Sequence, residues 1–110
     1  MEPSQLNISL YKGQTWEKQF RFKVDGTVMN LEDYSFKAQI RPVFNSETLC
    51  AEMSISVSPE EGVVTLGLTA EQTANLEPKT LVWDLQSVDE NQKVDYWFYG
   101  NITINGRATV

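Results

Sequence analysis

Histidine is absent from the 110 residues, and Cys50 is the only cysteine. Those two omissions narrow the chemistry before any fold is considered. Without imidazole there is no histidine general base, and neither a Ser-His nor a Cys-His nucleophile pair can be assembled. The commonest zinc ligand is missing, and a single thiolate cannot build a structural zinc site. Cys50 lacks a neighbouring Cys-x-x-Cys partner that would lower its pKa, so it reads as an incidental thiol facing outward beside a loop. Carboxylates are the remaining candidates. Glu60-Glu61 and Asp89-Glu90 both sit in turns, but a calcium site needs six or more oxygens in fixed places, and no Asp-x-Asp spacing supplies them. Paired carboxylates of the glycosidase kind need one desolvated acid. Every acidic residue here falls in a turn or on the polar face of a strand. The expectation is a protein that is not an enzyme and that uses no cofactor and no metal.

Nine basic and fifteen acidic side chains give a net charge of −6. Phosphate backbones are held by basic patches, so nucleic acid is not an expected partner. Lys18, Arg21 and Lys23 lie along one strand-like segment and read as part of a solvated face. No apolar run approaches the roughly 20 residues that cross a bilayer, and Met1-Glu2-Pro3-Ser4-Gln5 lacks a basic-then-apolar leader pattern. No membrane partner is expected, and synthesis in a cytoplasm is. Asn7-Ile8-Ser9 and Asn101-Ile102-Thr103 match the glycosylation pattern and are read as chance in that setting.

The elements that would position any site are strands. Apolar residues recur with a period of two along nearly the whole chain, the pattern of half-buried strands. Leu6, Ile8 and Leu10 form one set. Trp16, Phe20, Phe22 and Val24 form a second, interrupted by Lys18, and Asp25-Gly26 then marks a hairpin turn. Tyr34, Phe36, Ala38 and Ile40 follow until Pro42 ends the run. Residues 43–48 carry no period and read as a loop. Ala51, Met53, Ile55 and Val57 make a fourth set closed by Ser58-Pro59-Glu60-Glu61-Gly62, and Val64, Leu66 and Leu68 a fifth. Thr69-Ala70-Glu71-Gln72 fits a capping box and predicts a helix of about two turns over residues 70–76, with Ala70, Ala74 and Leu76 on the sheet edge. Leu81, Trp83 and Leu85 precede a polar turn at Asp89-Glu90-Asn91-Gln92. Val94, Tyr96, Phe98, Ile102 and Ile104 form the last inward set, with Gly100 in step.

About seven strands joined by short turns predict an all-β fold, an Ig-like antiparallel β-sandwich with one short helix, built as a single domain over residues 1–110. The last strand then turns Asp95, Trp97, Tyr99, Asn101 and Thr103 away from the core. Exposed Trp and Tyr side chains dominate interface hot spots, which makes Trp97 and Tyr99 interface candidates. Tyr11 and Phe44, in or beside predicted turns, are the other two.

Several short segments resemble a known group. Ile8-Ser9-Leu10-Tyr11-Lys12-Gly13-Gln14-Thr15-Trp16 resembles the strand, Gly, strand opening of small tail-associated proteins of bacteriophages, which are similar to the N-terminal domain of phage baseplate upper proteins. The resemblance continues through Asn30-Leu31-Glu32-Asp33-Tyr34-Ser35-Phe36-Lys37-Ala38-Gln39-Ile40-Arg41, Leu68-Thr69-Ala70-Glu71-Gln72-Thr73 and Trp83-Asp84-Leu85-Gln86. It departs where a Gly-x-Tyr usually precedes the Asp-Leu pair, since Lys79-Thr80-Leu81-Val82-Trp83 stands there. The resemblance implies a virion structural protein of the tail, baseplate or neck. Its partners would be other virion structural proteins, in many copies within a symmetric assembly. A carbohydrate- or host-receptor-binding module is the alternative, because Asp95, Trp97, Tyr99 and Asn101 would also suit a sugar.

Overall fold

A computed structural model describes residues 3–109. The fold is mostly β. Eleven strand segments occur among these residues: β1 Ser4–Gln5, β2 Ile8–Tyr11, β3 Trp16–Arg21, β4 Lys23–Val24, β5 Thr27–Val28, β6 Ser35–Arg41, β7 Ala51–Glu52, β8 Ser54–Ser58, β9 Val63–Leu68, β10 Thr80–Val88 and β11 Val94–Asn105. A 3-10 turn at Pro59–Glu61 joins β8 to β9, and the helix α1, Ala70–Ala74, precedes β10.

The strands build two main sheets and a small hairpin. The large sheet runs β1-β11-β10-β6-β7, with β2 also paired to β11, and the smaller sheet runs β3-β9-β8. Their apolar faces meet in one core. Ala38 and Ile40 of β6, Leu81, Trp83 and Leu85 of β10, and Ile102 and Ile104 of β11 lie against Phe20, Val64, Leu66 and Leu68 of the smaller sheet, all buried. The Phe20 ring of β3 and the Phe98 ring of β11 meet at 4.5 Å between centroids. The predicted inward residues of β9 and β10 are buried, as are Ala38 and Ile40 of β6, while Tyr34 and Phe36 pack partly buried against the core. Strict alternation along a strand leaves the other face polar, so Lys37, Gln39 and Arg41 project from the far side of the large sheet.

Four local expectations change. The predicted first strand is two pieces, and both pair parallel, not antiparallel, with β11: Ser4 lies opposite Phe98, and Ile8 opposite Ile102. The kink at Leu6–Asn7 rests on Gly100, where a Cβ would lie 2.8 Å from the Leu6 carbonyl carbon and 2.9 Å from Asn7 Oδ1. The second strand ends at Arg21. Beyond buried Phe22, β4 and β5 pair as a hairpin around Asp25-Gly26, both at positive φ, which leaves Val24 exposed instead of inward. The fourth apolar set belongs to two sheets: β7 pairs with β6, β8 with β9, and buried Met53 marks the crossing. Cys50, just before β7, packs partly buried against the core and does not face outward.

The helix carries the expected capping box. Gln72 N–H donates to Thr69 Oγ1 at 3.1 Å, while Thr69 N–H donates to Gln72 Oε1 at 2.9 Å. It ends at Ala74, two residues short of the prediction, and the inward residue is Thr73, not Ala70. Fully buried Thr73 donates its hydroxyl to the Gln14 carbonyl at 2.7 Å, which ties α1 to the chain entering β3. A hydroxyl is tolerated there because its bond is made. No helix among the described residues is long and apolar enough to cross a membrane.

Candidate functional site

β11 contains a bulge that decides which aromatics reach the surface. Leu85 of β10 pairs with Phe98, but the next residue, Gln86, pairs with Tyr96, so Trp97 is the extra residue. An inserted residue reverses the in-out phase of everything before it. Trp97 is thereby turned inward and is not an outward aromatic. Its indole stacks on Phe22, 4.7 Å between centroids at an 11° tilt, and its N–H donates to Ser87 Oγ at 2.8 Å. Ser87, itself buried, is a polar residue in the core whose hydroxyl has this one indole as its donor. The same reversal sends Val94 and Tyr96, expected to face inward, to the surface, where they are 48% and 44% exposed. C-terminal to the bulge the expected phase holds, with Tyr99 outward and Phe98 inward.

On the outer face of the large sheet Tyr96 borders a groove of about 550 Å³, and Val94 and Tyr99 line a recess that adjoins it. The floor of the groove is Gln39 and Arg41 of β6 with Asp84 and Gln86 of β10, and its wall is the loop that follows β6. Pro42 cannot continue the ladder, and the chain turns at Val43, where Ser46 N–H donates to the Val43 carbonyl at 3.2 Å. Arg41 holds this loop down by donating to the Ser46 carbonyl at 3.1 Å and to Gln39 Oε1 at 2.8 Å. Gln39 in turn donates to Glu52 of β7 at 2.9 Å. The loop carries Phe44 over the sheet until its ring lies 6.5 Å from that of Tyr99. Gln86 donates to the Tyr96 hydroxyl at 3.0 Å, orienting that ring at the groove margin.

Of the four aromatics singled out from sequence, Phe44 and Tyr99 are brought together and Trp97 joins the core. Tyr11 is 60% exposed but sits opposite Asn105, six residues along β11 from Tyr99, which is about 20 Å in a strand. It belongs to another part of the surface. Tyr96, Val94, Arg41 and Asp84 were not singled out. Alternation placed the first two inside, and nothing local marks Arg41 as the neighbour of Asp84, or Asp84 as the neighbour of a loop about 40 residues before it.

Asp84 is the group whose ionisation is disturbed. Burial pushes its carboxyl above the ordinary value of 3.8, and the Arg41 guanidinium offsets part of that rise. Among the described residues no hydrogen bond or ion pair reaches this carboxylate, while Asp95 lies 3.9 Å from the Lys93 ammonium. No group of three or more His, Cys, Asp and Glu residues that could hold a metal ion occurs among the described residues. The groove is therefore a surface with aromatic margins, a polar floor and one carboxylate acceptor without a hydrogen bond among the described residues, its charge offset in part by Arg41. Compared with known families and with curated proteins, the chain matches none.

Proposed function

We propose that this chain is an Ig-like sandwich module that acts by docking, as a structural adaptor of a phage virion, and that the outer face of the large sheet is its contact surface. The observation that carries the reading is the cluster of Phe44, Tyr96 and Tyr99, with Val43 and Val94, exposed together around one groove. Isolated exposed apolar residues need no explanation, but a set gathered at one place marks an interaction surface. Aromatic anchors beside polar groups are the composition of interface hot spots. The resemblance of the opening strand-Gly-strand segment and of Trp83-Asp84-Leu85-Gln86 to tail-associated proteins supports placing that partner within a virion. Asp84 and Gln86 of this segment form part of the groove floor.

The test is native mass spectrometry of the purified assembly that contains this chain. An adaptor appears in fixed stoichiometry with larger structural proteins, and its interface should exceed about 1,000 Å². Recovery only as a free monomer, with particles that lack it, would sink the reading. A glycan-binding module is the second reading, favoured by one observation: Phe44 and Tyr99 stand beside the carboxyl and amide groups of Asp84 and Gln39. A glycan screen on the isolated chain separates the two.

A further inference from the structure

We propose that the recess between Phe44, Tyr96 and Tyr99 is an anchor pocket for one arginine side chain of a partner protein, with the Asp84 carboxylate as its seat. The proposal deepens the docking reading above and rests on it. The recess, about 550 Å³, continues from the groove toward Pro3 and carries two carboxylates, Asp84 and Asp95, with the three aromatic rings. Its charge is acidic, and the chain as a whole carries −6. Among the described residues neither Lys nor Arg lines the recess itself. Lys37 and Arg41 line the adjoining groove, where the Arg41 charge also acts on Asp84 while its N–H groups bond to Ser46 and Gln39.

The hydrogen-bonding balance selects the ligand. Within the recess the lining side chains carry two carboxylates and neither an amide nor a cation, so its side-chain donors are the Tyr96 and Tyr99 hydroxyls. On the groove floor Gln39 bonds to Glu52, Arg41 to the loop carbonyl and Gln39, and Gln86 to Tyr96. The free valence is an acceptor, on Asp84. A sugar presents hydroxyl oxygens that need donors as well as acceptors, and this site is short of the former. A guanidinium presents donors only. It is planar and weakly hydrated, lies flat on aromatic rings, and forks onto a carboxylate with two parallel bonds. A lysine ammonium would meet the charge but not the planar stacking. An incoming cation also completes the compensation, which Arg41 supplies only in part, of a carboxylate that is partly desolvated and accepts no hydrogen bond among the described residues.

The test uses the full chain, labelled with nitrogen-15, titrated with N-acetyl-arginine amide and with N-acetyl-citrulline amide, a neutral compound of the same shape. Saturable amide shifts at Asp84, Tyr96 and Tyr99 are expected with arginine and not with citrulline. Asp84→Asn should weaken the arginine response about tenfold, the change expected from about 1.4 kcal/mol, while leaving the dispersed spectrum of the folded chain intact. Tyr96→Ala provides a second variant that keeps the carboxylate. Equal responses to both compounds, shifts away from these residues, or an undiminished response in Asp84→Asn would overturn the pocket. Saturable binding of methyl glucoside at the same amides would overturn it in favour of a sugar site. A chain held stoichiometrically in particles yet silent to arginine refutes the pocket alone. A chain missing from particles that takes arginine refutes the adaptor reading alone.

Discussion

Replacing Gly100 by alanine sets a Cβ against the main chain of Leu6, closer to its carbonyl oxygen than any van der Waals contact allows and 2.8 Å from its carbonyl carbon. The obstacle is backbone, not the end of a flexible side chain, so the Leu6–Asn7 segment must move off β11. Three hydrogen bonds go with it: Leu6 N–H to the Tyr99 carbonyl at 2.8 Å, Trp83 Nε1–H to the Leu6 carbonyl at 2.9 Å, and Asn101 N–H to Asn7 Oδ1 at 3.0 Å. Each contributes about 1 kcal/mol net, and the Trp83 indole, only 1% exposed, loses its acceptor inside the core, which adds about 1–3 kcal/mol. Alanine recovers about 0.4–1 kcal/mol by restricting the unfolded chain. The expected loss is about 3–5 kcal/mol, a large part of the 5–15 kcal/mol that holds a typical domain. Urea unfolding followed by tryptophan fluorescence measures it, and hydrogen exchange at Leu6 and Asn101 locates it. Gly106→Ala is the control, since nothing lies within 4 Å of a Cβ there. A loss below about 1 kcal/mol for Gly100→Ala, with both amides still protected, would refute the close approach and the accounting built on it. Because Pro3 lines the recess, the same substitution should also loosen that end of the proposed pocket.

The remaining predictions concern single side chains. Trp97→Ala should destabilise the fold by about 2–4 kcal/mol, because it empties the stack on Phe22 and strands the Ser87 hydroxyl; a change below about 1 kcal/mol in urea would mean that the indole points to water. Thr73→Val should cost about 1–3 kcal/mol by leaving the Gln14 carbonyl without its buried donor, read as a lowered unfolding midpoint, and an unchanged midpoint would contradict that bond. Asp84 holds its proton more tightly when folded than unfolded, so its contribution to stability falls as pH rises from 3.8 through the raised folded value. Asp84→Asn should accordingly be more stable than the parent at neutral pH, with the gap closing as pH drops toward 3.8, measured by urea unfolding at both ends. An asparagine variant less stable at neutral pH would show that the carboxylate is paired.

Much of the surface half of the site was legible and half was misplaced, for one reason. Tyr99 and Phe44 stood out because one alternates with the inward set of Gly100, Ile102 and Ile104, and the other sits in a segment without period. Trp97 and Tyr96 exchanged places because a bulge costs one residue of phase and has no local sequence mark. The Trp97 indole finds Ser87 and Phe22 only across the sheet and the core. Asp84 looked like any polar residue on an alternating strand. Its disturbed ionisation comes from its burial in the folded sheet and, in the opposite sense, from Arg41 on the neighbouring strand, surroundings that only the tertiary structure supplies.

Alternation, turns and caps are properties of residues two to four apart, which is why β6, β9, β10, the Asp25-Gly26 hairpin and the Thr69–Gln72 box could be read from sequence alone. Which strands become neighbours, and in which direction, depends on surfaces that meet only in the folded chain. The parallel seating of β1 and β2 on β11 follows from Gly100 admitting the Leu6 carbonyl and from Trp83 reaching it, both far off in sequence. The division of residues 51–58 between two sheets follows from Met53 entering the core where the sheets approach. The composition excluded histidine and thiolate-cluster chemistry. Tertiary structure alone brought a loop phenylalanine, two tyrosines and an unpaired carboxylate to one place, since none of these lies within a helical turn or strand repeat of all the others.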